Sequence, residues 1–424
     1  MINTTTNPAA TQACQELDPA HSILVLNAGS SSIKFAVYQF EKSLAVRLSG
    51  KLEYSAKIGA TISSEDDNKN QQCVTEPSAT NRKLIINFLI HWIERQSCFG
   101  SIRALGHRVI HGMHHTEPER VTESLLNELH HMTHYNPEHL PFEIELMEAF
   151  HWRHPALVQL ACFDTVFHRT LPRVAKLLPI PRHYYEKGIQ RYGFHGLSYS
   201  YLMQEIARLN DPTATRGRVI LAHLGNGASM TAVLNGKSID TSMGFTPTGG
   251  LPMGTRAGDI DPGLIVYLER TEHLSAGQIQ HLVNFESGLL GVSETSADMR
   301  ELLELEATDA RAAEAIELFC YQAKKLIGAY AAALGGLDTL VFTGGIGANA
   351  ASVRARICEG LEYIGIHINT ARNSRSSDII STNTSLTKVR VIQTQEELMI
   401  AHSVLQIIPN RRVKARKVSA EEYL

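Results

Sequence analysis

The stretch "ILVLNAGSSSIKFAVY", Ile23 to Tyr38, places a turn of small polar residues between two apolar arms. The arms, Ile23 to Leu26 and Ile33 to Tyr38, have the length and the β-branched or aromatic content of buried strands. The turn holds one glycine and three consecutive serines, and Lys34 follows closely. Because backbone N–H groups and hydroxyls that converge in such a turn form a nest for an anion, the stretch predicts a β-hairpin whose tip binds a negatively charged group.

The same pattern occurs a second time, 196 positions further along the chain. "VILAHLGNGASMTAVL", Val219 to Leu234, aligns on the first stretch without gaps and is identical to it at three of sixteen positions. Gly29 aligns with Gly225 in this comparison. Three identities are few, but the shared order of strand, glycine turn and strand indicates two related halves. Each half is expected to offer one backbone turn to a common cleft.

Length and composition indicate a globular protein of more than one domain. The chain has 424 residues, more than one hydrophobic core usually serves, and 43% of them are hydrophobic. The net charge of −3 gives no electrostatic reason to expect binding to nucleic acid or to a membrane surface. Six scattered cysteines without a CxxC pair suit a reducing compartment, and the sequence shows neither a signal segment nor a long apolar run. We therefore expect a cytoplasmic protein, with a disordered extension at residues 1–20.

Strand-like and helix-like segments alternate over nearly the whole length, which predicts an α/β architecture. Apolar residues recur at helical spacing from Leu84 to Ile93 and from Ile316 to Leu334, so a helix is predicted at each place. The second helix is expected to end at Gly335-Gly336, before a short strand at Thr339 to Thr343. The polar stretch from Ser63 to Ser78 is predicted to be an exposed loop.

A third glycine turn and two arginines point to phosphoryl chemistry. "LVFTGGIGANA", Leu340 to Ala350, puts a glycine-rich turn directly after a predicted strand. Arg108 lies in "GHRVIHG", and Arg256 is the single arginine of "GFTPTGGLPMGTRAGDIDPG", a stretch too rich in glycine and proline for a helix or strand. Arginine supplies the positive charge and the planar fork that transfer of a phosphoryl group to a carboxylate needs. An ordinary hairpin turn and a surface ion pair remain alternative interpretations of any one of these features.

Two histidine-rich segments raise the question of a metal site. They hold His107, His111, His114 and His115, and further on His130, His131 and His134. Neither segment follows the HExxH pattern, and no cysteine joins them at the spacing of a zinc site. Hydrogen-bonded or solvated histidines are therefore favoured over a structural zinc site.

Taken together, the motifs resemble those of the acetate kinase family, whose fold belongs to the actin, hexokinase and Hsp70-like ATPases. The resemblance covers about residues 22–405 and rests on motifs in the family's order: "LVLNAGSSSIKF", "GHRVIHG", "CFDTVFHRT", "RYGFHG", "HLGNGAS", "GLLGVS", "VFTGGIG" and "EELMIA". It implies an α/β fold of two duplicated actin-like, ribonuclease H-like domains with a nucleotide cleft between them. The implied boundaries are residues 21–168 plus about 395–424 for the first domain and residues 169–394 for the second.

The resemblance also implies a reaction and the residues that carry it. The reaction is transfer of the γ-phosphoryl group of ATP to the carboxylate of a short-chain acid, acetate first of all, with Mg²⁺ (or Mn²⁺) and ATP or ADP bound, in a homodimer. The implied catalytic residues are Arg108, Arg256, His195, His223 and Asp164. The implied nucleotide contacts are Ser30, Ser32, Lys34, Gly225, Asn226, Gly227, Asp298, Met299, Arg300, Gly345, Gly347 and Asn349. The acid pocket is implied at Ile110, His134, Phe194 and Pro247, and the metal site at Asn27 and Glu396.

Within this set the resemblance gives each group a task. Arg108 and Arg256 match the pair that grips the carboxylate and the migrating phosphoryl group, and His223 matches a hydrogen-bond donor to that group. Asp164 matches an acidic residue that orients Arg108 or the metal. Because a carboxylate oxygen is already a nucleophile, no general base is assigned.

Two alternatives stay open at this point. One is propionate or another short-chain acid as the substrate, and the other is a non-catalytic actin-like module that binds ATP. The segment "THYNPEHLP", Thr133 to Pro141, departs from the family pattern, with His134 at the position of a pocket leucine. The sequence therefore predicts the reaction type and leaves the identity of the acid open.

Overall fold

The computed structural model describes residues 21–29, 32–40, 43–55 and 59–408. The expected extension at residues 1–20, Ser30 of the expected nucleotide site, and residues 409–424 of the expected first domain lie outside that part of the chain. Among the described residues, no helix combines the length and the apolar character needed to cross a lipid bilayer.

In the described part of the chain the strands form one sheet of eight and one of five. The first sheet contains β1 (Ser22–Ala28), β2 (Ser32–Phe40), β3 (Leu44–Ser55), β4 (Gly59–Asp66), β5 (Gln71–Glu76), β6 (Ile102–Val109), β7 (Glu119–Arg120) and β8 (Val158–Phe163). The second sheet contains β9 (Arg218–Leu224), β10 (Ala228–Leu234), β11 (Lys237–Thr241), β12 (Thr339–Thr343) and β13 (Lys388–Val391).

The α-helices of the described residues surround these sheets. They are α1 (Arg82–Glu94), α2 (Glu123–Met132), α3 (Leu140–Arg153), α4 (Arg173–Lys176), α5 (Arg182–Glu186), α6 (Gly196–Arg208), α7 (Thr213–Arg216), α8 (Pro262–Thr271), α9 (Ala276–Phe285), α10 (Gly288–Ser293), α11 (Met299–Leu305), α12 (Ala310–Leu334), α13 (Gly344–Asn349), α14 (Ala351–Cys358), α15 (Thr370–Ser374) and α16 (Glu396–Ile407). Short 3₁₀ segments lie at Phe99–Ser101, Thr133–Tyr135, Val166–Thr170 and Glu362–Ile364.

Both sheets share one core order. The order is β5-β4-β3-β2-β1-β6-β8-β7 in the first sheet and β11-β10-β9-β12-β13 in the second. Each sheet contains three consecutive antiparallel strands, β1 to β3 in the first sheet and β9 to β11 in the second. On the other side of the first strand of each set lie two strands that run parallel to it: β6 and β8 next to β1, and β12 and β13 next to β9. This repetition confirms the α/β class and the internal duplication that the sequence predicts. Strands β4, β5 and β7 are additions to the first sheet.

The two predicted hairpins are present, but their turns differ in length. Ala28 pairs with Ile33 in the first hairpin, whereas Leu224 pairs with Ala228 in the second. The second turn is therefore one residue shorter, and the gapless alignment is right for β1 and β9 but one residue off for β2 and β10. Because a shift of one residue moves a side chain to the other face of a sheet, the identities in the second strand are not structurally equivalent positions.

The predicted loop from Ser63 to Ser78 is wrong, because most of it forms β4 and β5. Strand β5 lies at the edge of the first sheet and is exposed along nearly its whole length. Its stability comes from backbone hydrogen bonds to β4 and from a tight turn in which Asp66 Oδ1 accepts from Asn68 N and Asn70 N, at 2.9 Å each. A strand without a buried face leaves no apolar alternation in the sequence.

The two predicted helices are confirmed as α1 and α12. Helix α12 ends at Gly335, which adopts a left-handed conformation with φ 70° and donates to the carbonyl groups of Ala331 and Ala332. The predicted strand at Thr339–Thr343 follows as β12 and is fully buried. The glycine therefore ends the helix as the sequence indicates.

Helix α16 returns the chain to the first sheet. Ile400 and Val404 pack on Gly106 of β6, where a Cβ would lie 2.5 Å from Ile400 Cγ2. The close approach that glycine allows seats the first turn of α16, with Glu396, beside the carboxyl end of β1. Asn27 of β1 then meets Glu396 across 369 positions of sequence.

Candidate active site

Polar side chains lie at the carboxyl ends of three parallel strands of the first sheet. Asn27 is near the end of β1, Arg108 near the end of β6, and Asp164 directly follows β8. Because these strands are parallel neighbours, their ends meet at one edge of the sheet. That edge is where ligands of open α/β sheets bind.

Arg108 is held by Asp164. Its Nη2 donates to Asp164 Oδ2 at 2.8 Å, and its Nη1 donates to the carbonyl oxygen of Ala28 at 3.3 Å. Asp164 is 1% exposed, and the same Oδ2 accepts the backbone N–H of His195 at 2.8 Å. Gly196 follows so closely that a Cβ there would lie 2.2 Å from the Asp164 carbonyl oxygen, so this turn requires glycine. Asp164 thus joins the arginine to the start of α6.

Glu143 of α3 is a second buried carboxyl group beside Arg108. Its Oε2 accepts the backbone N–H of Ile110 at 2.9 Å. Its Oε1 lies 3.9 Å from Arg108 Nη1 and finds no hydrogen-bond partner within the described part of the chain. Burial raises the pKa of Glu143 to about 7, although Arg108 and the Ile110 N–H act in the opposite direction. No motif in the sequence marks this residue.

His195 and His223 face each other with ring centroids 4.1 Å apart and an interplanar angle of 19°. His195 Nδ1 lies 2.8 Å from Ser229 Oγ, and His223 Nδ1 lies 2.9 Å from Ser198 Oγ. Burial lowers the pKa of both rings. Neighbouring His223, Arg108 and Arg256 lower the pKa of His195 further. At His223 the carboxylates of Glu396 and Asp164 act in the opposite direction, but its pKa stays below the ordinary value. Both imidazoles are therefore neutral near pH 7, and each offers a single N–H.

Tyr199 is linked to this histidine pair through Ser229. Its hydroxyl lies 2.5 Å from Ser229 Oγ, the same oxygen that contacts His195 Nδ1. Tyr199 is fully buried on α6, three residues after Gly196. The tyrosine completes a hydrogen-bonded chain to the histidine.

Arg256 reaches the same place from the second half of the chain. The predicted irregular loop is confirmed, since no helix or strand occurs between β11 and Pro262. Arg256 Nη1 donates to the carbonyl oxygen of Pro247 at 3.3 Å, and no carboxylate in the described part of the chain forms an ion pair with this guanidinium. A Cβ at Gly227 would lie 3.3 Å from His195 Nε2 and 3.8 Å from Arg256 Nη1. The second glycine turn, the histidine and the arginine therefore converge.

Both arginines lie close enough to His195 and His139 to lower the pKa of each ring. Arg108 and Arg256 each lower the pKa of His195, and each lowers the pKa of His139, which burial brings to about 3. Burial lowers the pKa of Arg256 as well, and the charge of Arg108 adds to that effect. An anion at this point would face two guanidinium groups.

The expected acid pocket is assembled only in part. Ile110, Phe194 and Pro247 are buried, and the first two pack in one cluster with Leu251 and Met253.

His134 does not join this pocket: it is exposed, with its ring 4.1 Å from that of Tyr135. Glu138 and His139 of the same segment lie near the arginines instead, as their charge coupling to Arg256 shows. In the segment Thr133 to Pro141, Glu138 and His139 therefore lie near the arginines, whereas the expected His134 does not face the pocket.

Glu138 also connects the two halves of the chain. Its Oε1 accepts from Asn284 Nδ2 at 2.9 Å and from Gln280 Nε2 at 3.4 Å, both on α9. Asn284 Oδ1 in turn accepts from Thr248 Oγ1 of the glycine-rich loop. Burial raises the pKa of Glu138, and the charge of Arg256 lowers it in part.

Asn27 and Glu396, the expected metal site, are in contact. Asn27 Nδ2 donates to Glu396 Oε2 at 2.9 Å and to Glu397 Oε1 at 3.0 Å, so a second carboxylate joins the pair. Lys34 stands opposite Asn27 in the hairpin register. Burial opposes ionisation of Glu396, but neighbouring His223, the charges of Arg108 and Lys34, and the hydrogen bond from Asn27 outweigh it and hold its pKa below the ordinary value. Ionised carboxylates with an amide oxygen are a donor set that suits Mg²⁺.

The three glycine turns lie around this cluster. In the first, Gly29 N donates to the Ser32 carbonyl oxygen at 2.8 Å; in the second, Gly225 N donates to that of Gly227 at 3.1 Å. The third is a short helix, α13, and a Cβ at Gly225 would lie 3.6 Å from Gly345 N. Gly345 itself faces open space, since a Cβ there would meet nothing within 4 Å.

The remaining nucleotide candidates lie on surfaces next to these turns. Asp298 accepts the N–H of Arg300 at 2.8 Å at the start of α11, and Met299 between them is buried. Asn226 is exposed and its carbonyl oxygen accepts from Gly254 N at 3.0 Å. Asn349 Nδ2 donates to the Gly345 carbonyl oxygen at 2.9 Å, whereas Gly347 packs against Leu224.

Arg354 supports the third turn and was missed by the sequence analysis. It is fully buried on α14, and its Nη1 donates to the carbonyl oxygens of Gly347 and Ala348 at 2.9 Å each. Its Nε and Nη2 donate to Asn373 and Ser376 at 2.8–3.0 Å, so all five N–H groups are used. No motif contains it, and a buried arginine without a carboxylate partner leaves no pairing pattern in the sequence.

Known proteins are similar in sequence to this chain over almost its full length. A family model described as the Acetokinase family matches residues 22–402. The chain is 40% identical to an acetate kinase of Methylocella silvestris, over 91% of this chain and 98% of that protein. It is also 40% identical to a propionate kinase of Citrobacter rodentium, over 92% of this chain and 97% of that protein.

Solved structures agree. The crystal structure of Porphyromonas gingivalis acetate kinase has a TM-score of 0.81 to this chain at 34% identity, covering 91% of this chain and 99% of that one. A propionate kinase from Francisella tularensis has a TM-score of 0.84 at 36% identity, covering 90% and 98%. The fold class, a duplicated actin-like ATPase fold, is thereby confirmed.

Proposed function

The chain belongs to the Acetokinase family, and we propose that the cluster around Arg108 and Arg256 is where it transfers the γ-phosphoryl group of ATP to a short-chain carboxylic acid. The enzyme is a kinase with a carboxylate as acceptor and an acyl phosphate as product. One observation supports this location above the others: Arg108, on a strand of the first sheet, and Arg256, in the loop between β11 and α8, both lie near the same neutral histidine, His195. A protein that only binds a nucleotide does not need two guanidinium groups positioned to bind a carboxylate. The similar proteins are kinases by name.

The two arginines grip the reactants. Arg108, fixed by Asp164, binds the carboxylate of the acid and the oxygens of the migrating group. Arg256, free of any ion pair in the described residues, neutralises the charge that develops on those oxygens. The nucleophile is a carboxylate oxygen, so positioning and charge neutralisation suffice without a general base.

The histidines act as neutral donors. His223 donates one hydrogen bond to an oxygen of the transferred group, and His195 contacts the same group from its Nε2, because their Nδ1 atoms already contact serine hydroxyls. Charged imidazoles are not required, and their lowered pKa values keep them uncharged at neutral pH. The pair therefore shapes the site without exchanging protons.

A divalent cation, Mg²⁺ or Mn²⁺, would be held by Glu396 with Asn27, and Glu397 lies close enough to assist. When bound, it supplies positive charge to the phosphate oxygens of ATP. The residues of the chain supply the rest: Lys34, Ser32 and Ser30 bind phosphates at the first hairpin, and Gly225, Asn226 and Gly227 bind them at the second.

The adenosine is assigned to the edge of the second sheet. We place it against Asp298, Met299 and Arg300 on one side and against Gly345, Gly347 and Asn349 on the other. Support comes from Gly345, which opens to free space and lies next to the Gly225 turn.

The acid lies with its apolar end against Ile110, Phe194 and Pro247. Acetate is the first candidate. Propionate is the second candidate, because propionate kinases are about as similar to the chain as acetate kinases are. Glu138 adds negative charge beside this pocket, which favours small monocarboxylic acids over dicarboxylic ones.

The larger organisation is also a proposal. Residues 21–168 with about 395–424 form one domain and residues 169–394 the other, supported by the packing of α16 on the first sheet. A homodimer in the cytoplasm is proposed from the family resemblance, and six scattered cysteines suit that compartment.

Trapping of the product with hydroxylamine tests the function. Purified protein with ATP and Mg²⁺ is supplied with formate, acetate, propionate or butyrate, and acyl hydroxamate is measured. We expect hydroxamate with acetate or propionate as the best substrate. No hydroxamate with any of these acids would contradict the proposed function.

A further inference from the structure

A group of metal-binding side chains lies outside the site described above. His114 and His115 follow β6, and Glu128 lies on α2. His114 Nε2 lies 2.9 Å from Glu128 Oε1, and His115 Nε2 lies 3.6 Å from Glu128 Oε2. Their ligand atoms all lie within 4.8 Å of one another.

His115 gives an independent reason to expect a ligand here. It is 8% exposed, and its Nε2 has no hydrogen-bond partner among the described residues, although it lies 3.6 Å from Glu128 Oε2. A buried polar atom without a partner is costly in a folded protein. An ion between the imidazole and the carboxylate would satisfy it.

The rest of the His115 ring is fixed in advance. Its Nδ1 lies 2.7 Å from Glu119 Oε1, and the ring stacks on Phe163 with centroids 4.7 Å apart and an angle of 10°. A histidine that ligates a metal through one nitrogen commonly donates its other N–H to a carboxylate, which sets the tautomer. Glu119 occupies that place.

We propose that His114, His115 and Glu128 bind a zinc-like divalent transition-metal ion, separate from the cation of the phosphoryl transfer. Tetrahedral zinc with bonds of about 2.0–2.1 Å separates its ligand atoms by roughly 3.3 Å, and the two nitrogen–oxygen distances of 2.9 Å and 3.6 Å lie on either side of that value. Two imidazoles and one carboxylate favour zinc over magnesium. A water molecule takes the fourth position, because His114 is exposed.

The ion would tie the segment after β6 to α2. Arg108 lies on that strand, and Phe163, against which His115 stacks, immediately precedes Asp164. Occupancy therefore stabilises the backbone that carries the Arg108–Asp164 pair. The sequence favours hydrogen-bonded or solvated histidines in both segments, and the proposed site departs from that expectation for His114 and His115 alone.

Zinc titration of the full chain tests this proposal. Binding is followed by calorimetry, and by the visible absorption of Co²⁺ as a substitute, without nucleotide and with Mg²⁺ in excess. We expect one ion per chain and a higher melting temperature with zinc. The variants His114→Ala and Glu128→Gln change one exposed and one half-buried side chain, and each should weaken binding by about tenfold or more. Glu119→Gln should weaken it by roughly 10- to 100-fold.

The matched control is His130→Ala. His130 is also an exposed histidine, 2.8 Å from a glutamate oxygen (Glu148), but the described part of the chain offers it no third ligand. Zinc binding should be unchanged in this variant. The proposal is overturned if the wild-type chain binds no stoichiometric zinc or Co²⁺, or if Glu128→Gln and His114→Ala bind as well as His130→Ala does.

Discussion

The carboxylate of Asp164 lies 2.8 Å from Nη2 of Arg108 and fixes the direction in which this guanidinium points. Both side chains sit at the ends of neighbouring parallel strands, so the sheet itself brings them together. The aspartate is nearly inaccessible to solvent, which strengthens its interaction with the arginine.

Replacing Asp164 with asparagine should lower kcat sharply. The amide keeps the size of the side chain but loses the charge that orients Arg108, so we expect a loss of roughly 100-fold or more, as for other groups that preorganise charge. ATP binding should change little, because no nucleotide contact is altered. The control is Glu94→Gln, which removes a surface partner of Arg153; a kcat loss of equal size in both variants would contradict the prediction.

Glu138 should weaken binding of the acid. Its charge acts on Arg256 and has the same sign as the substrate carboxylate. Glu138→Gln keeps an oxygen for Asn284 and removes the charge, so KM for acetate should fall by about two- to fivefold, the effect of roughly 0.5–1 kcal/mol of repulsion. Steady-state kinetics at neutral pH measure this, with Glu148→Gln, a half-buried glutamate paired with His130, as the control. An unchanged or higher KM for acetate would show that Glu138 does not face the acid.

Glu143 should make stability depend on pH. Its native pKa of about 7 exceeds the unfolded value of about 4.3. Between those values the native state binds more protons, so this group lowers the free energy of unfolding as the pH rises from about 4.5 to 7. Glu143→Gln should therefore lose less stability than the wild type between pH 5 and pH 8, by up to about 3 kcal/mol.

Chemical denaturation at the two pH values measures this difference. Glu53→Gln, at an exposed position, should follow the wild type. If the Glu143→Gln and wild-type free energies change in parallel, Glu143 does not titrate in this range.

Arg354 should matter to nucleotide binding without touching the nucleotide. A lysine cannot replace five fixed N–H donors, so Arg354→Lys should destabilise the chain by about 2–4 kcal/mol and raise KM for ATP by loosening the Gly347 turn. Arg356→Lys is the matched control on the same helix, because Arg356 pairs with Glu306 at the surface. An unchanged KM for ATP in Arg354→Lys would show that the turn holds its shape without this arginine.

The sequence predicts the fold where burial leaves a periodic pattern. The strands of both hairpins are buried along most of their length, and the apolar arms around Gly29 and Gly225 reveal them directly. The exposed strand β5 has no such pattern and was predicted as a loop. Turn length is a matter of backbone geometry, so the one-residue difference between the hairpins could not be read from three identities.

The residues of the candidate site also fall into those that the sequence predicts and those that it does not. Arg108, Arg256 and Asn27 lie in motifs. The structure places Asn27 and Arg108 near the ends of neighbouring strands, and Arg256 beside the Gly227 turn. The sequence predicts His134 in the acid pocket, because it occupies the position of a pocket leucine. In the structure His134 is exposed, and Glu138 and His139 lie near the arginines instead. Glu143 and Arg354 act through buried contacts made across distant sequence, and such contacts leave no local signal.

Alanine substitution of Arg108 and Arg256, one at a time, tests the central claim most directly. Each variant is assayed for acyl hydroxamate formation and, separately, for ATP binding by calorimetry, with Arg153→Ala as a surface control. We predict that each active-site variant loses most turnover and still binds ATP, because both guanidinium groups act on the acid and the migrating phosphoryl group. Near-normal turnover in either variant would contradict transfer between two converging arginines.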